Sequence, residues 1–382
     1  MIKTLFWLNI GIMLFMYFAY PAAIFIIAKI FGKEARKENI MPPITMIIPM
    51  HNEEKSAKAK IENILALDYP KNSLEIIFAL DNCTDKTKEI LASHNDSRVL
   101  IFENTERAGK VAAMNKAVSL AKGEIIVFSD ANSMNQSDTL KKIARNFADE
   151  GVGCVSGRLR YVDANSTAIG QGENLYWRYE TFIKKQESRL GRLLITNGSI
   201  QAVRKELYPY PDQEIADDFS IPLLIQAKGH KVLYEPEAVV TEKATEDLTE
   251  EFKQKMRIVA QGIKGALRMR KILLKLSPLG IFELLFHKIL RWAGPFFMIA
   301  IFVSNLILIK EALYFYLFLA QLVFYSLSLI GFLLRKKNRI KLFYIPFYFN
   351  LINFASLAAC CHFIRSGQTH IWEKAESTRA IQ

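Results

Sequence analysis

A chain of 382 residues that is 51% apolar and carries a net charge of +12 has room for one large globular domain plus membrane segments, and its apolar fraction sits slightly above the usual globular range. Lys and Arg are spread along the chain with no nucleic-acid motif around them, which excludes a nucleic-acid partner and leaves attraction to anionic membrane lipids as the source of the basic balance. Four cysteines, two of them adjacent (Cys360, Cys361), show neither metal spacing nor a disulfide framework, in keeping with a reducing compartment.

From the N-terminus, Leu5 to Ala28 carries no charge, and a hydrocarbon core ~30 Å thick takes about 20 apolar helical residues to cross. A secretory signal has a shorter apolar core ending at a small-residue cleavage site. Here the run ends instead in Lys29, Lys33, Arg36 and Lys37. Residues 1–32 are therefore expected to be a retained anchor, with the basic residues on the cytoplasmic side by the positive-inside rule.

Residues 40–275 form the expected globular domain. Thr45 to Pro49, Leu74 to Leu80, Val99 to Phe102 and Glu124 to Ser129 are short apolar runs that predict strands, and Glu53 to Leu67, Asp85 to Ser93 and Gly109 to Ala121 predict helices between them. That alternation implies βαβ units and a mainly parallel α/β sheet, whose strands are buried on both faces. Ligands of such sheets bind beyond the carboxyl ends of the strands. The polar residues there are Pro49-Met50-His51-Asn52-Glu53-Glu54, Asp81-Asn82-Cys83-Thr84-Asp85 and Asp130-Ala131-Asn132-Ser133. Each has a plain alternative: Asn52 and Glu53 can start a helix, Asp81 to Asp85 can form an Asx turn, and Asp130 can belong to a turn. Their convergence on one edge is more telling, because it outlines a site for a cation and phosphate.

Beyond the domain, Phe282, Leu285, Phe286, Ile289 and Leu290 follow helical spacing with Glu283, His287, Lys288 and Arg291 among them. Residues 276–291 are expected to lie as an interfacial helix on the membrane; the alternative is the frayed start of the next span. Within residues 292–364, three spans fit near Trp292 to Ile309, Leu313 to Leu334 and Leu342 to Phe363, giving about four crossings in all. The cluster from Arg335 to Lys341 again points to the cytoplasm, so the globular domain is expected there, in a plasma or inner membrane protein with a short tail at 365–382.

These stretches resemble glycosyltransferase family 2, in particular its membrane-bound branch of cellulose, hyaluronan, chitooligosaccharide and poly-N-acetylglucosamine synthases. The match continues through Arg107-Ala108-Gly109-Lys110, Asn197-Gly198-Ser199, Ala216-Asp217-Asp218-Phe219 and Gln254-Lys255-Met256-Arg257-Ile258. The resemblance implies a GT-A nucleotide-sugar-binding domain inserted between transmembrane helices. By it, Pro49, His51, Asn52, Glu53 and Asp81 hold the nucleoside of a uridine diphosphate sugar, with UDP-GlcNAc or UDP-Glc as the expected donor. Arg107 and Lys110 lie near the nucleotide or diphosphate. Asp130 is the first carboxylate of the family's D-x-D metal motif, for Mg²⁺ or Mn²⁺, and Asn132 stands at its second position. Asn197, Gly198, Ser199, Gln254 and Arg257 border the acceptor and diphosphate.

Asp218 matches the general base of the family's T-E-D motif, which takes the proton of an attacking hydroxyl. Asp217 beside it is either part of that catalytic pair or a cap of the helix that opens there. Gln254, Arg257 and Gln261 share one helical face, and a solvated face is their alternative. Ile258 replaces the aromatic residue of the family's Q-x-x-R-W pattern, so addition of one or a few sugars is expected unless Tyr176 or Trp177 supplies the missing ring. The whole reads as an inverting glycosyltransferase acting on a glycan or lipid-linked acceptor. A catalytically silent membrane partner of a polysaccharide synthesis or export complex is the rival reading.

Overall fold

The computed structural model describes residues 1–162, 168–245, 247–335 and 340–366. Its N-terminal helix α1 (Ile2–Phe31) leads into an eight-stranded sheet of order β3-β2-β1-β4-β7-β6-β8-β5. The first four strands are β1 (Ile44–Met50), β2 (Leu74–Asp81), β3 (Val99–Asn104) and β4 (Ile125–Ser129). They pair in parallel, and the helices between them, α2 (Glu54–Leu65), α3 (Thr87–Ala92) and α4 (Lys110–Leu120), fall where the apolar periodicity puts them. Every residue of β1 is buried. Met46 and Ile48 pack in one core with Ala57 and Ile61 of α2, whereas Ile47 packs in the other with Ala113 and Met114 of α4. A layer of helix on each face is why the strand reads as a continuous apolar run.

The second half of the sheet mixes parallel and antiparallel pairs. After β5 (Met134–Asn135), α5 (Thr139–Ala144) and β6 (Val152–Val162) comes the long helix α6 (Ala168–Arg189), then β7 (Ile200–Arg204). Strand β7 runs antiparallel to both β4 and β6, with Ser129 opposite Ile200. This reversal sets the start of β7 beside the end of β4, so the Asn197–Ser199 loop and the Asp130 loop meet at one edge. Helix α7 (Asp217–Ala227), strand β8 (Lys231–Lys243) and helix α8 (Leu248–Arg268) complete the domain.

Among the described residues, three helices are long and apolar enough to cross a membrane: α1, α11 (Ala312–Leu333) and α12 (Lys341–Ser366). The fourth expected span is different. It is a 14-residue helix, α10 (Gly294–Ile307), only about 21 Å long at 1.5 Å per residue. It meets α9 (Pro278–Trp292) at 61°, so a fourth crossing exists only if this bent pair counts as one span. Residues 336–339, three of them basic, and the tail from 367 onward lie outside the described residues.

Helix α9 corrects the interfacial expectation in one respect. Its charged residues do not face outward: Glu283 and His287 are buried, and Ile281, Leu285 and Ile289 are exposed. His287 Nδ1 lies 2.5 Å from Glu187 Oε1 and its Nε2 3.0 Å from Glu180 Oε2, both on α6, while Lys288 donates to Glu180 Oε2 over 3.1 Å and Arg291 also pairs with Glu180. Tyr20 of α1 donates to Glu187 Oε1 over 2.9 Å, and Tyr179 of α6 donates to the Tyr17 carbonyl over 2.9 Å. Polar groups buried this deeply cost free energy unless they are paired. Tyr20, His287, Lys288 and Arg291 pair with Glu180 and Glu187 and clamp α1, α6 and α9 together, whereas the Glu283 carboxyl is buried without a hydrogen-bond partner.

Candidate active site

At the edge where β4 and β7 meet, one ammonium group gathers the acidic residues. Lys110, in the first turn of α4, places Nζ 2.8 Å from Asp130 Oδ1 and 3.3 Å from Asp217 Oδ1. Burial alone would lower its pKa, but the charges of Asp130, Asp217 and Asp218 outweigh that and hold it above the ordinary lysine value. Gly198 faces the pair: a Cβ there would make ordinary van der Waals contact, 3.4 Å from Lys110 Nζ and 3.6 Å from Asp130 Oδ2.

Asp217 and Asp218 open α7, where the helix dipole favours ionised carboxylates by about 0.3–1 kcal/mol. Burial wins over the dipole. Desolvation, joined by repulsion from Asp217, raises Asp218 to about 6, and Asp217 is raised for the same first cause despite the opposing charge of Lys110. The capping alternative for Asp217 gives way to another arrangement: Ala216 occupies the cap position, and Asp217 Oδ2 accepts from Gln201 Nε2 at 2.7 Å. A carboxylate poised near neutrality inside a cavity is suited to taking up a proton.

The loop after β4 is held from below by Lys60, a fully buried residue whose Nζ donates to Ser129 Oγ at 2.7 Å and to the Ser133 carbonyl at 2.5 Å. Burial lowers its pKa to about 7. Asp130 and Asn132 are thus presented on a turn fixed at both shoulders. Among the described residues no three His, Cys, Asp or Glu side chains converge as a metal cage. The chain itself offers one carboxylate and one amide, a set that fits Mg²⁺ or Mn²⁺ arriving with a diphosphate, since such ions are commonly held by one or two carboxylates plus substrate phosphates.

The nucleoside residues are arranged differently from the expectation in one case. Asp81 is buried, and its carboxylate accepts from Asn104 Nδ2 at 3.1 Å, the Ala108 amide at 2.9 Å and the Gly109 amide at 2.8 Å. Its bonds go to the Arg107–Lys110 loop, which Gly109 enters at φ 92°, a backbone conformation open chiefly to glycine. His51 Nδ1 meets the Asp81 carbonyl at 2.7 Å. Asn52, itself left-handed at φ 53°, accepts the Thr84 amide at 2.8 Å, and the Glu53 amide donates to Thr87 Oγ1 at 2.7 Å. These bonds tie the end of β1, including Pro49 within the strand, to the turn after β2. That turn is built by Asp85, whose Oδ1 accepts the Thr87 amide at 3.0 Å, as the Asx alternative anticipated.

A single cavity of about 1800 Å³ joins Arg107, Lys110, Asp130, Asn132, Asn197, Gly198, Ser199, Asp217, Asp218, Gln254 and Arg257. Pro49, His51, Asn52, Glu53 and Asp81 lie at the neighbouring strand ends, outside its lining. Gln254 and Arg257 therefore face the site, not bulk solvent. Ile258 also lines the cavity, half exposed, together with Tyr176 and Trp177.

Sequence reasoning missed Lys60, Gln201 and Lys184. Lys184, buried on α6, donates to Asn197 Oδ1 at 2.6 Å and lies 5.3 Å from the Trp177 ring centroid. Burial, with repulsion from Lys288, lowers its pKa to about 8. Nothing local marks these residues, since a lysine in a polar helix normally faces water.

Residues 45–209 match the family model described as Glycosyl transferase family 2. Among curated proteins, the chain is similar to a beta-monoglucosyldiacylglycerol synthase of Nostoc sp. (strain PCC 7120), 28% identical over 47% of this chain and 40% of that protein. It is also similar to a poly-beta-1,6-N-acetyl-D-glucosamine synthase of Staphylococcus aureus (strain COL), 25% identical over 65% of this chain and 61% of that protein. The matched stretch thus spans less than two thirds of the length of these two relatives. Among solved structures, a mannosyltransferase of Pyrobaculum calidifontis in complex with GDP-Man and Mn2+ superposes with a TM-score of 0.70, covering 95% of this chain and 100% of that one at 21% identity. The shared fold is the GT-A sheet with its flanking helices.

Proposed function

We propose that this chain, whose residues 45–209 match the family 2 glycosyltransferase model, transfers a sugar with inversion from a UDP-linked donor to a glycan or lipid-linked acceptor at the membrane. The observation that carries this reading is the pair of carboxylate stations in one cavity: Asp130 beside Lys110 on one side, and Asp218, raised to about 6, on the other. Attack by an acceptor hydroxyl on the anomeric carbon needs a base, and departure of the nucleoside diphosphate needs positive charge. Asp218 supplies the first. Lys110, with Arg107 and Arg257 in the lining of the same cavity, supplies the second.

Asp130 and Asn132 would hold Mg²⁺ or Mn²⁺, which when bound neutralises diphosphate charge. Asp217 fixes Lys110 and, through its charge, keeps Asp218 basic. His51, Asn52 and Glu53 border the nucleoside, and Asp81 acts there by holding the loop of Arg107. Asn197 and Gln254 orient the acceptor. The three long apolar helices support an integral membrane protein, and the basic residues after α1 support a cytoplasmic catalytic domain.

The test is purified protein in nanodiscs offered a panel of nucleotide sugars with Mn²⁺ or Mg²⁺ and scored for nucleoside diphosphate release. Release with a UDP-sugar supports the reading. A silent partner would bind no nucleotide in a metal-dependent way, and that result would overturn it.

A further inference from the structure

The cavity that contains Asp218 does not end within the globular domain. Its wall continues onto Leu14 and Phe18 of α1 and Ile345 of α12. These three side chains are 54%, 71% and 41% exposed and sit on two helices of membrane-spanning length. The cavity is thus walled in part by apolar side chains of two helices that would meet lipid. The rings of Tyr17 and Phe349, which also line the cavity, meet at 5.4 Å.

We propose that the acceptor is a membrane lipid with a hydroxylated headgroup, which enters from the bilayer between α1 and α12 and leaves its hydrocarbon chain against this wall. The proposal rests on the transferase reading above and narrows its acceptor. A growing polysaccharide carries hydroxyls on every sugar and needs polar partners along its path, because an unpaired hydroxyl in an apolar setting is costly. Leu14, Phe18, Ile345 and Phe349 offer methyl and ring carbon instead. A hydrocarbon tail needs no partner there, and the headgroup at its end reaches the polar part of the same cavity, where Lys184 and Asp218 lie.

In the step itself, the headgroup oxygen forms a bond to the anomeric carbon while the bond from that carbon to the diphosphate oxygen breaks. The electron pair leaves with the nucleoside diphosphate, and the hydroxyl proton passes to the Asp218 carboxylate. No oxidant or further reactant is required.

Matched acceptors test the proposal. Protein in phosphatidylcholine nanodiscs receives radiolabelled nucleotide sugars with Mn²⁺ and either dioleoylglycerol or a monoglycosylated diacylglycerol, against glycerol or the free monosaccharide. The tailed acceptors should take at least about ten times more label, into a chloroform-soluble product, given the apolar area that their chains bury. Ile345→Arg should abolish that product while UDP binding, followed by calorimetry, persists. Should Ile345→Arg fail to fold, Leu14→Gln serves in its place, and the wild-type comparison needs no variant. Equal labelling of tailed and tail-less acceptors, or a water-soluble polymer made without either lipid, would overturn the lipid assignment and leave the transferase reading standing. Absence of nucleoside diphosphate release in every arm would overturn both.

Discussion

Lys110 donates to Asp130 across 2.8 Å and so joins the first turn of α4 to the loop that ends β4. The ammonium occupies the neighbourhood where a diphosphate and its cation are expected, and it neutralises Asp130 in their absence. Lys110→Met should lower turnover by on the order of 10²–10³-fold, the usual loss for one electrostatic group facing a developing charge. Asp130→Ala should instead abolish the dependence of UDP affinity on Mn²⁺. Calorimetry with and without the metal separates the two effects; equal UDP affinity in wild-type protein under both conditions would remove Asp130 from metal binding.

Asp218 should set the acid side of the pH profile. With its pKa raised to about 6 by burial and by Asp217, kcat/KM should climb as pH rises through 6, when the carboxylate becomes able to accept a proton. Asp218→Asn should reduce transfer by ~10²–10⁴-fold while nucleotide binding remains. Linkage works in the opposite direction. A carboxyl more basic in the folded state favours folding below its unfolded pKa, and that contribution is lost as pH rises through about 6, so activity and this part of the stability diverge. An activity profile flat between pH 5 and 7, an interval spanning about one unit on each side of that pKa, would remove Asp218 as the base.

The clamp between α6 and α9 should be sensitive to loss of one partner. Glu180 is buried and receives Lys288, Arg291 and His287; Glu180→Ala strands two cations in a dry interface. Breaking a buried pair in this way costs about 3–5 kcal/mol. The thermal unfolding midpoint in detergent should fall by several degrees, whereas a surface change such as Lys88→Ala, which loses only an exposed pair with Glu103, should be nearly silent. Comparable midpoints for the two variants would contradict the clamp.

Product length tests the departure at Ile258. The aromatic side chains nearest to a substitute are already engaged: Lys184 lies over Trp177 at 5.3 Å and Lys255 over Tyr176 at 5.8 Å. With Ile258 in place of an aromatic residue, a sugar loses stacking worth ~0.5–1.5 kcal/mol, so the product should leave after one or a few additions. Ile258→Trp should lengthen products. Long polymer formed beside untouched acceptor by the wild-type protein would refute the expectation.

Much of this was legible in the chain itself. The unbroken apolar runs of β1, β2 and β4 foretold a buried sheet, because burial on both faces leaves no polar positions to vary. The polar residues just after them, at Asn52, Asp81 and Asp130, foretold the edge at which they meet. The uncharged stretch from Leu5 to Ala28 foretold a membrane-length helix. In each case the signal is periodicity or composition within one segment, which the sequence carries directly.

Tertiary structure alone decided the rest, since it depends on which distant segments are brought together. The reversal of β7 against β4 places Gly198 beside Lys110 and Asp130, and no local pattern announces a strand's direction. The same folding turns the Asp81 carboxylate toward the Ala108 and Gly109 amides and buries Lys60 beneath the Asp130 loop. It also directs the charges of α9 inward against α6. A short polar sequence is compatible with ligand, cap or buried partner alike. The choice among them is made by desolvation and by the few groups within hydrogen-bond reach, which exist only once the chain has folded.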